Sequence, residues 1–498
     1  MLISMSGEQT STPLATRLRE LARTDPDAPA VSDGDIVLTR AELDERTNRL
    51  ARAFAARGVG PGDLVSIALP NRVRHVECSV AVWKLGAVPQ PVSHRLPPGE
   101  LDAVLEVADP ALVVGLQTPG RAWLPEDHDA SGESAEPLPE VVGPSWKAPT
   151  SGGSTGRPKV IVAGQRASIE EALARVDGLR IDRDGVFLCT APLHHNAPYM
   201  FSLMALLQGH HVVVMQRFDA QRTLDLIAHH GVTWLYVVPT MMSRILRLPD
   251  GAGDAADVTS LRTVLHVGAP CPPEVKRAWL DWVGPETVVE LYSGTESQAG
   301  TTIDGVEWLA HPGSVGRVTR GLMRVLDPED GHELPVGETG EIWMRSADGR
   351  PTYHYLGAQA RERDGWESLG DMGRFDDDGY LYLADRRSDM VLVGGANVYP
   401  AEVEGALETH PDVLGSAVVG LPDPDYGQVV HAIVHVAADA DPGVVEDALR
   451  VHLTERLTPY KTPRTYEFVH HPLRDDAGKV RRGALRDERV GRARISSP

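Results

Sequence analysis

The sequence predicts an α/β protein with a large N-terminal domain of helix-covered, mostly parallel sheets, a β-rich subdomain within it, and a small C-terminal α+β domain. Three observations lead there. Helix-like and strand-like segments alternate from about residue 12 to 295, the arrangement that builds parallel sheets under helices. Short strands with tight turns replace that pattern from about 300 to 384. The last stretch, 386–498, carries a helix–strand–helix pattern with apolar residues enough for a core of its own.

Leu43, Leu50 and Phe54 recur at helical spacing in Arg40–Arg57, and Val65–Leu69 reads as a buried strand. A helix over Val73–Leu85 and a strand over Val88–Pro91 follow, then strands at Val212–Met215, Thr233–Val238, Thr263–Val267 and Val288–Tyr292. Residues 126–149 are rich in Glu, Asp, Pro, Gly and Ser without a period and read as a surface loop. Gly316–Arg320, Met323–Leu326, Gly340–Arg345 and Tyr380–Ala384 are the strands of the subdomain. The C-terminal unit has a helix at Pro400–Glu408, with Pro400 suited to the first turn, strands near Ala417–Val419 and Val429–Val436, and a helix at Val444–Leu457. The boundary falls at Asp385–Arg386, giving domains 1–385 and 386–498.

Composition excludes several classes. The chain of 498 residues has 49 Lys+Arg against 70 Asp+Glu, a net charge of −21 that disfavours non-specific nucleic-acid binding. No apolar run approaches a membrane span of about 20 residues, and the first residues lack a secretory pattern. Cys78, Cys189 and Cys271 are widely spaced and form neither a disulfide framework nor a zinc site, which suits the cytoplasm. A homodimer is left open.

The most informative segment runs Thr150-Ser151-Gly152-Gly153-Ser154-Thr155-Gly156-Arg157-Pro158-Lys159 and leads into strand-like Val160–Val162. Hydroxyls, glycines and cations at this density make a loop of donors that can wrap phosphate oxygens. The Walker A spacing fails. A G-x-S-x-G pattern is present in Gly152, Ser154 and Gly156, yet a nucleophile elbow needs a helix directly after it, and Pro158 and a strand follow instead. Tyr292-Ser293-Gly294-Thr295-Glu296 lies past a strand, where ligands collect in open α/β sheets. Glu296 suits a magnesium ion and Tyr292 a base. Gly370-Asp371 begins a polar turn whose carboxylate suits ribose hydroxyls, and Lys479 lies in a polar tail.

In their order, Thr150–Lys159, Ala191–Asn196, Tyr292–Glu296, Gly370–Met372, Asp385–Glu404 and Asp476–Arg482 resemble the adenylate-forming superfamily, which includes acyl- and aryl-CoA ligases, over essentially the whole chain. The resemblance implies that Thr150, Ser151, Gly152, Gly153, Ser154, Gly156 and Lys159 hold ATP phosphates. It implies that Thr155 and Glu296 position Mg²⁺, that Gly268, Ala269, Pro270 and Tyr292 border the adenine, and that Ser293 belongs to the ATP site. Asp371 and Arg386 then bind the ribose. Lys479 is implied as the catalytic lysine of a mobile C-terminal domain, His195 as a gate, Ser388 as the hinge, and Gly394 and Gly395 as the lining of a CoA tunnel. Asn196, Tyr199, Tyr236 and Gly294 fall in the acid pocket.

The absence of a carrier domain after residue 498 and the run Asn397–Glu404 point to CoA as acceptor, and the expected reaction is acyl-adenylate formation with loss of pyrophosphate, then transfer to CoA. Trp146-Lys147, the Ser-Gly-Gly-Ser-Thr loop and His195-Asn196-Ala197-Pro198-Tyr199 resemble ligases of bulky alicyclic, steroid- or terpenoid-like acids in secondary metabolism. Asp385 and Ser388 depart from the family hinge, which leaves open an enzyme specialised for one half-reaction or one that passes the adenylate to another nucleophile. A Ser154 hydrolase is the distant alternative.

Overall fold

The computed structural model describes residues 11–152, 158–174, 178–181, 184–249, 256–393, 396–475 and 478–495. Its centre is a nine-stranded sheet. Six strands run parallel in the order Val288–Ser293, Thr263–His266, Trp234–Val237, Val186–Cys189, His211–Val214 and Pro29–Ser32. Antiparallel strands close both sides: Val37–Thr39 at one edge, Gly300–Asp304 and Arg317–Arg320 at the other. Both faces are covered, so the strands are mainly apolar, with His266 and Glu290 as buried polar exceptions; Phe187 and Phe201 both pack against Trp234 in the core.

A second, four-stranded parallel sheet is built from Val88–Pro91, Leu64–Ile67, Leu112–Val114 and Trp123–Leu124. The helix Arg40–Ala55 starts on a Thr39–Glu42 capping box and buries Leu43, Leu50 and Phe54, the spacing seen in the sequence. Tyr353–Leu356, Pro158–Ala163 and Thr150–Gly152 form a small antiparallel sheet, and Leu322–Leu326, Gly340–Arg345, Trp366–Phe375, Glu362–Arg363 and Leu381–Arg386 form the β-rich subdomain. The small C-terminal lobe has its own five-stranded sheet, with the helices Pro400–Glu408 and Pro442–Thr454, around Val403, Leu407, Val418, Val434, Leu449 and Leu453.

Three expectations need correction. The stretch 126–149 carries no helix or strand, but its end is not on the surface. Trp146 and Ala148 are fully buried, Lys147 nearly so, and Trp83 Nε1 donates to the Trp146 carbonyl at 2.8 Å. Gly370-Asp371 is not a turn but the middle of the ten-residue strand Trp366–Phe375. Its two glycines and its charges imitate a turn; the chain accommodates them with a positive φ at Gly370 and a register shift between Asp371 and Gly373. The strand at Ala417–Val419 extends to Gly415–Asp423.

The lobes touch. Arg247 donates to the carbonyls of Val413 (3.0 Å) and Leu414 (3.3 Å), and Gly478 sits on the large lobe so closely that a Cβ there would lie 3.5 Å from Thr240 Oγ1.

Gly316 joins the central sheet to the subdomain through its bridge to Leu381. Its φ is +100°, and a Cβ would stand 2.0 Å from the Thr302 carbonyl oxygen. Gly316→Ala is therefore expected to lower unfolding stability by about 3 kcal/mol or more; urea titration checks this, and a loss near zero would refute the contact.

Candidate active site

The carboxyl ends of the parallel strands open onto one large cleft between the lobes. After Val186–Cys189 the chain continues to its neighbour His211–Val214, whereas Trp234–Val237 pairs on the other side of Val186–Cys189. That reversal is a topological switch point, where open α/β sheets bind ligands. The segments that leave these strand ends all line the cleft: Pro192–Asn196, Pro239-Thr240, Val267–Pro270 and Gly294–Glu296.

Glu296 is buried in the cleft wall. Its Oε1 accepts from Lys159 Nζ at 3.1 Å and from the Tyr355 hydroxyl at 2.5 Å, while Lys159 also donates to Tyr355 at 2.9 Å and stands 4.1 Å from its ring centroid. Burial raises the Glu296 pKa, but the Lys159 charge and the Tyr355 hydrogen bond outweigh it, so the carboxyl stays below its ordinary value. The pairing of Tyr353–Leu356 with Pro158–Ala163 brings Tyr355 here. Nothing in the motif spacing pointed to Tyr355; the alternating Tyr353-His354-Tyr355 run was the available signal.

Tyr292 and Asp371, far apart in sequence, meet: the Tyr292 hydroxyl donates to Asp371 Oδ2 at 2.8 Å. Asp371 pairs in register with Arg386, so the backbone sets Arg386 beside it; the Arg386 side chain lies outside the described part. Gly268, Ala269, Pro270, Ser293 and Gly294 line the same cleft, and so do Thr150 and Lys159. Gly153, Ser154, Thr155, Gly156, Gly394 and Gly395 lie outside the described residues, as does the side chain of Ser151. Thr150–Gly152 and Pro158–Ala163 pair as an antiparallel hairpin around that loop. A strand, not a helix, follows Ser154, which removes the hydrolase elbow.

On the other wall, His195 precedes the helix Asn196–Gln208, its ring centroid 4.3 Å from that of His194. Burial first, and the positive charge of Lys479 second, push its pKa down to about 4. Lys479, on the small lobe, lines the same cleft as His195. The turn that carries it is tied down: the Lys479 amide donates to Asp475 Oδ1 at 2.9 Å, and Arg474 joins the Gly478 carbonyl (3.3 Å) to Glu404 (3.1 Å). Arg482 links Glu404 at 2.7 Å to Asp389 at 3.1 Å, next to the exposed Ser388.

Of the pocket residues, Asn196 accepts a hydrogen bond from buried Lys147 and lines the cleft. Tyr236 lines it as well, beside Phe201. Tyr199 does not. It is a core residue at 1% exposure, its hydroxyl bonded to Ser79 at 3.0 Å, because the helical turn that faces Ala197 and Met200 into the cleft turns Tyr199 away from it.

Among the described residues, the one cluster spaced for a metal, Asp327, Asp330 and His332, is a largely exposed turn away from the cleft lining. No helix is long and apolar enough to cross a membrane.

Comparison with known proteins agrees with this cleft. The model of the AMP-binding enzyme family matches residues 18–354, and that of the AMP-binding enzyme C-terminal domain matches 402–479. Feruloyl-CoA synthase of an Amycolatopsis species is 34% identical over 485 residues, covering 93% of this chain and 96% of that protein. The 3-[(3aS,4S,7aS)-7a-methyl-1,5-dioxo-octahydro-1H-inden-4-yl]propanoyl:CoA ligase of Rhodococcus jostii is 30% identical, covering 97% of this chain and all of that protein. Among solved structures, the o-succinylbenzoate CoA synthetase of Bacillus subtilis with its acyl-adenylate superposes with a TM-score of 0.80 at 27% identity, covering 96% of this chain and 99% of that one. Fold and cleft define an adenylate-forming enzyme. The chain belongs to the AMP-binding enzyme family, within its acyl- and aryl-CoA ligases.

Several histidines are held neutral by burial: His75 and His194 at about 3, His195, His211 and His266 at about 4. All lie below the ordinary 6.5, so the unfolded chain takes up protons first as the pH falls. Their contribution to stability is full above 6.5 and is lost as the pH falls toward 4. Each such group gives a slope of up to about 1.4 kcal/mol per pH unit. Denaturant titrations between those limits should show stability falling steadily; a maximum near pH 5 would contradict it.

Proposed function

We propose that this protein is an ATP- and Mg²⁺-dependent acid–CoA ligase, acting in the cytoplasm on a bulky, largely apolar carboxylic acid, with 1–385 as the ATP- and acid-binding domain and 386–498 as the domain that brings the lysine. The observation that carries it is that Lys479 of the small lobe lines the same cleft as half-buried His195, at the carboxyl ends of the parallel strands.

In the first half-reaction a carboxylate oxygen of the acid attacks the α-phosphorus of ATP, and pyrophosphate leaves. Both partners are anions, so the site must offset charge that builds on the phosphoryl oxygens. The Lys479 ammonium does this from one wall. His195, uncharged at neutral pH, borders the acid without adding a second cation. Tyr292 and Asp371 hold the nucleoside end, with Arg386 beside them, and Gly268–Pro270 edge the base. The loop from Thr150 to Lys159 holds the β- and γ-phosphates.

Glu296 offers a hard, buried oxygen ligand of the kind Mg²⁺ takes, with Thr155 as its companion. Mg²⁺ bound there supplies charge neutralisation at the phosphates. Lys159, paired to Glu296 before nucleotide binds, is the cation that exchanges its carboxylate for phosphate. In the second half-reaction the CoA thiolate displaces AMP from the acyl carbonyl, with Gly394 and Gly395 bordering its path and Ser388 at the turning point between domain orientations.

An apolar acid fits Met200, Phe201, Phe218, Tyr236, Met241 and Leu291, which line the cleft. The Rhodococcus relative, named for a fused-ring propanoyl substrate, supports the alicyclic class.

Lys479→Ala should slow acid-dependent pyrophosphate release by about 10²–10³-fold while sparing thioester formation from synthetic acyl-adenylate; equal loss of both steps would refute its role. Replacing Gly395 with a bulkier residue should do the reverse, blocking transfer to CoA with pyrophosphate exchange intact.

A further inference from the structure

Arg320 ends the edge strand Arg317–Arg320 and reaches across Gly300 toward Ser293. Its Nη2 donates to Ser293 Oγ at 3.2 Å. Gly300 leaves the way clear: a Cβ there would lie 3.4 Å from Arg320 Nη2. Arg320 Nε is sealed from solvent and has no hydrogen-bond partner. Burial is the only influence on its ionisation, which it weakens, so no ionised neighbour among the described residues offsets the charge. A guanidinium has five donors, and one uncharged hydroxyl is a poor return for its desolvation.

Register places Arg320 on the same sheet face as Leu291, one of the apolar residues that line the cleft. Ser293 pairs with Gly300 and Leu291 with Thr302, and Gly300 pairs with Arg320, so these residues share a sheet face by strand alternation. Tyr292, which holds the ribose carboxylate of Asp371, points from the opposite face. Arg320, Ser293, Gly300, Thr302 and Leu291 all line the cleft.

Resting on the ligase reading above, we propose that Arg320 is a specificity determinant that binds a second oxygen acceptor on the acid, remote from the carboxylate that is adenylated. The shared chemistry is an sp² oxygen that takes one or two guanidinium N–H bonds: a ring ketone or a second carboxylate. The pocket then selects a functionalised ring acid over the bare hydrocarbon.

The test compares acid-dependent pyrophosphate release for 3-cyclohexylpropanoate, its 4-oxo derivative and its 4-carboxy derivative, in the native enzyme, Arg320→Met and Arg320→Lys. The native enzyme should prefer at least one oxygenated acid by about ten- to a hundredfold in kcat/KM, the range of a hydrogen bond to a charged group. The 4-oxo and 4-carboxy arms tell the two acceptors apart. In Arg320→Met the preference should fall to within about threefold of unity. Arg320→Lys, which keeps the charge but loses the planar fork, should lie between and serves where the Met variant does not fold. An equal loss for all three acids in the variants, or a native preference for the hydrocarbon, overturns the assignment alone. No pyrophosphate with any acid overturns the ligase reading and this assignment with it.

Discussion

On the proposed ligase reading, the site depends on bringing an ammonium group against a cleft that holds a triphosphate and a carboxylate. A lysine fixed on the large lobe would be neutralised by the nearest carboxylate, as Lys159 is by Glu296. Lys479 comes instead from a separate lobe, on a turn held by Asp475 and Arg474, and it lines a cleft whose His195 burial keeps uncharged. Two cations facing each other would repel; one cation and a neutral imidazole can share a site that anions later enter. The reach of the small lobe therefore matters more than any single contact inside the cleft.

Polar links in the small lobe transmit that reach. Glu404 is 3% exposed and gathers Arg474, Arg482 and the Val418 amide. A buried carboxylate with this many donors is strongly held, and losing one arginine would leave charge uncompensated. Through Arg482 the same carboxylate is joined to Asp389, just past the exposed Ser388. The lysine turn and the start of the lobe are thus linked, while Arg387 ties the preceding backbone to the large lobe through the Gly370 carbonyl and Glu341. The serine at this position is compatible with a pivot.

Much of the fold was legible in the sequence. Val88–Pro91 and Gly340–Arg345 coincide with their strands, and Pro400 opens its helix as its fixed φ suggests. The misreadings share a cause: local composition was outvoted by tertiary contacts. Asp371 looked like a turn residue because glycine flanks it, yet two neighbouring strands hold it extended. Tyr199 sat in the right motif, but helical geometry turned it into the core. Ordered motifs pointed to Glu296, Tyr292, Asp371 and Lys479, and the fold brings all four to one cleft. Arg320 and Tyr355 were hidden, because their meaning comes from strand pairing and from what surrounds a buried charge.

The central claim is that the docked lobe is the adenylating arrangement, and a cross-link tests it most directly. Cysteines at positions 240 and 478, where a Cβ at 478 would lie 3.5 Å from Thr240 Oγ1, should join under oxidation and hold the lysine turn on the large lobe. The oxidised double variant is then assayed for acid-dependent exchange of labelled pyrophosphate into ATP, with transfer to CoA followed in parallel. Retained exchange with transfer abolished until a reductant is added is the result this account predicts. Exchange lost on oxidation and restored by reductant, with transfer untouched, would contradict it.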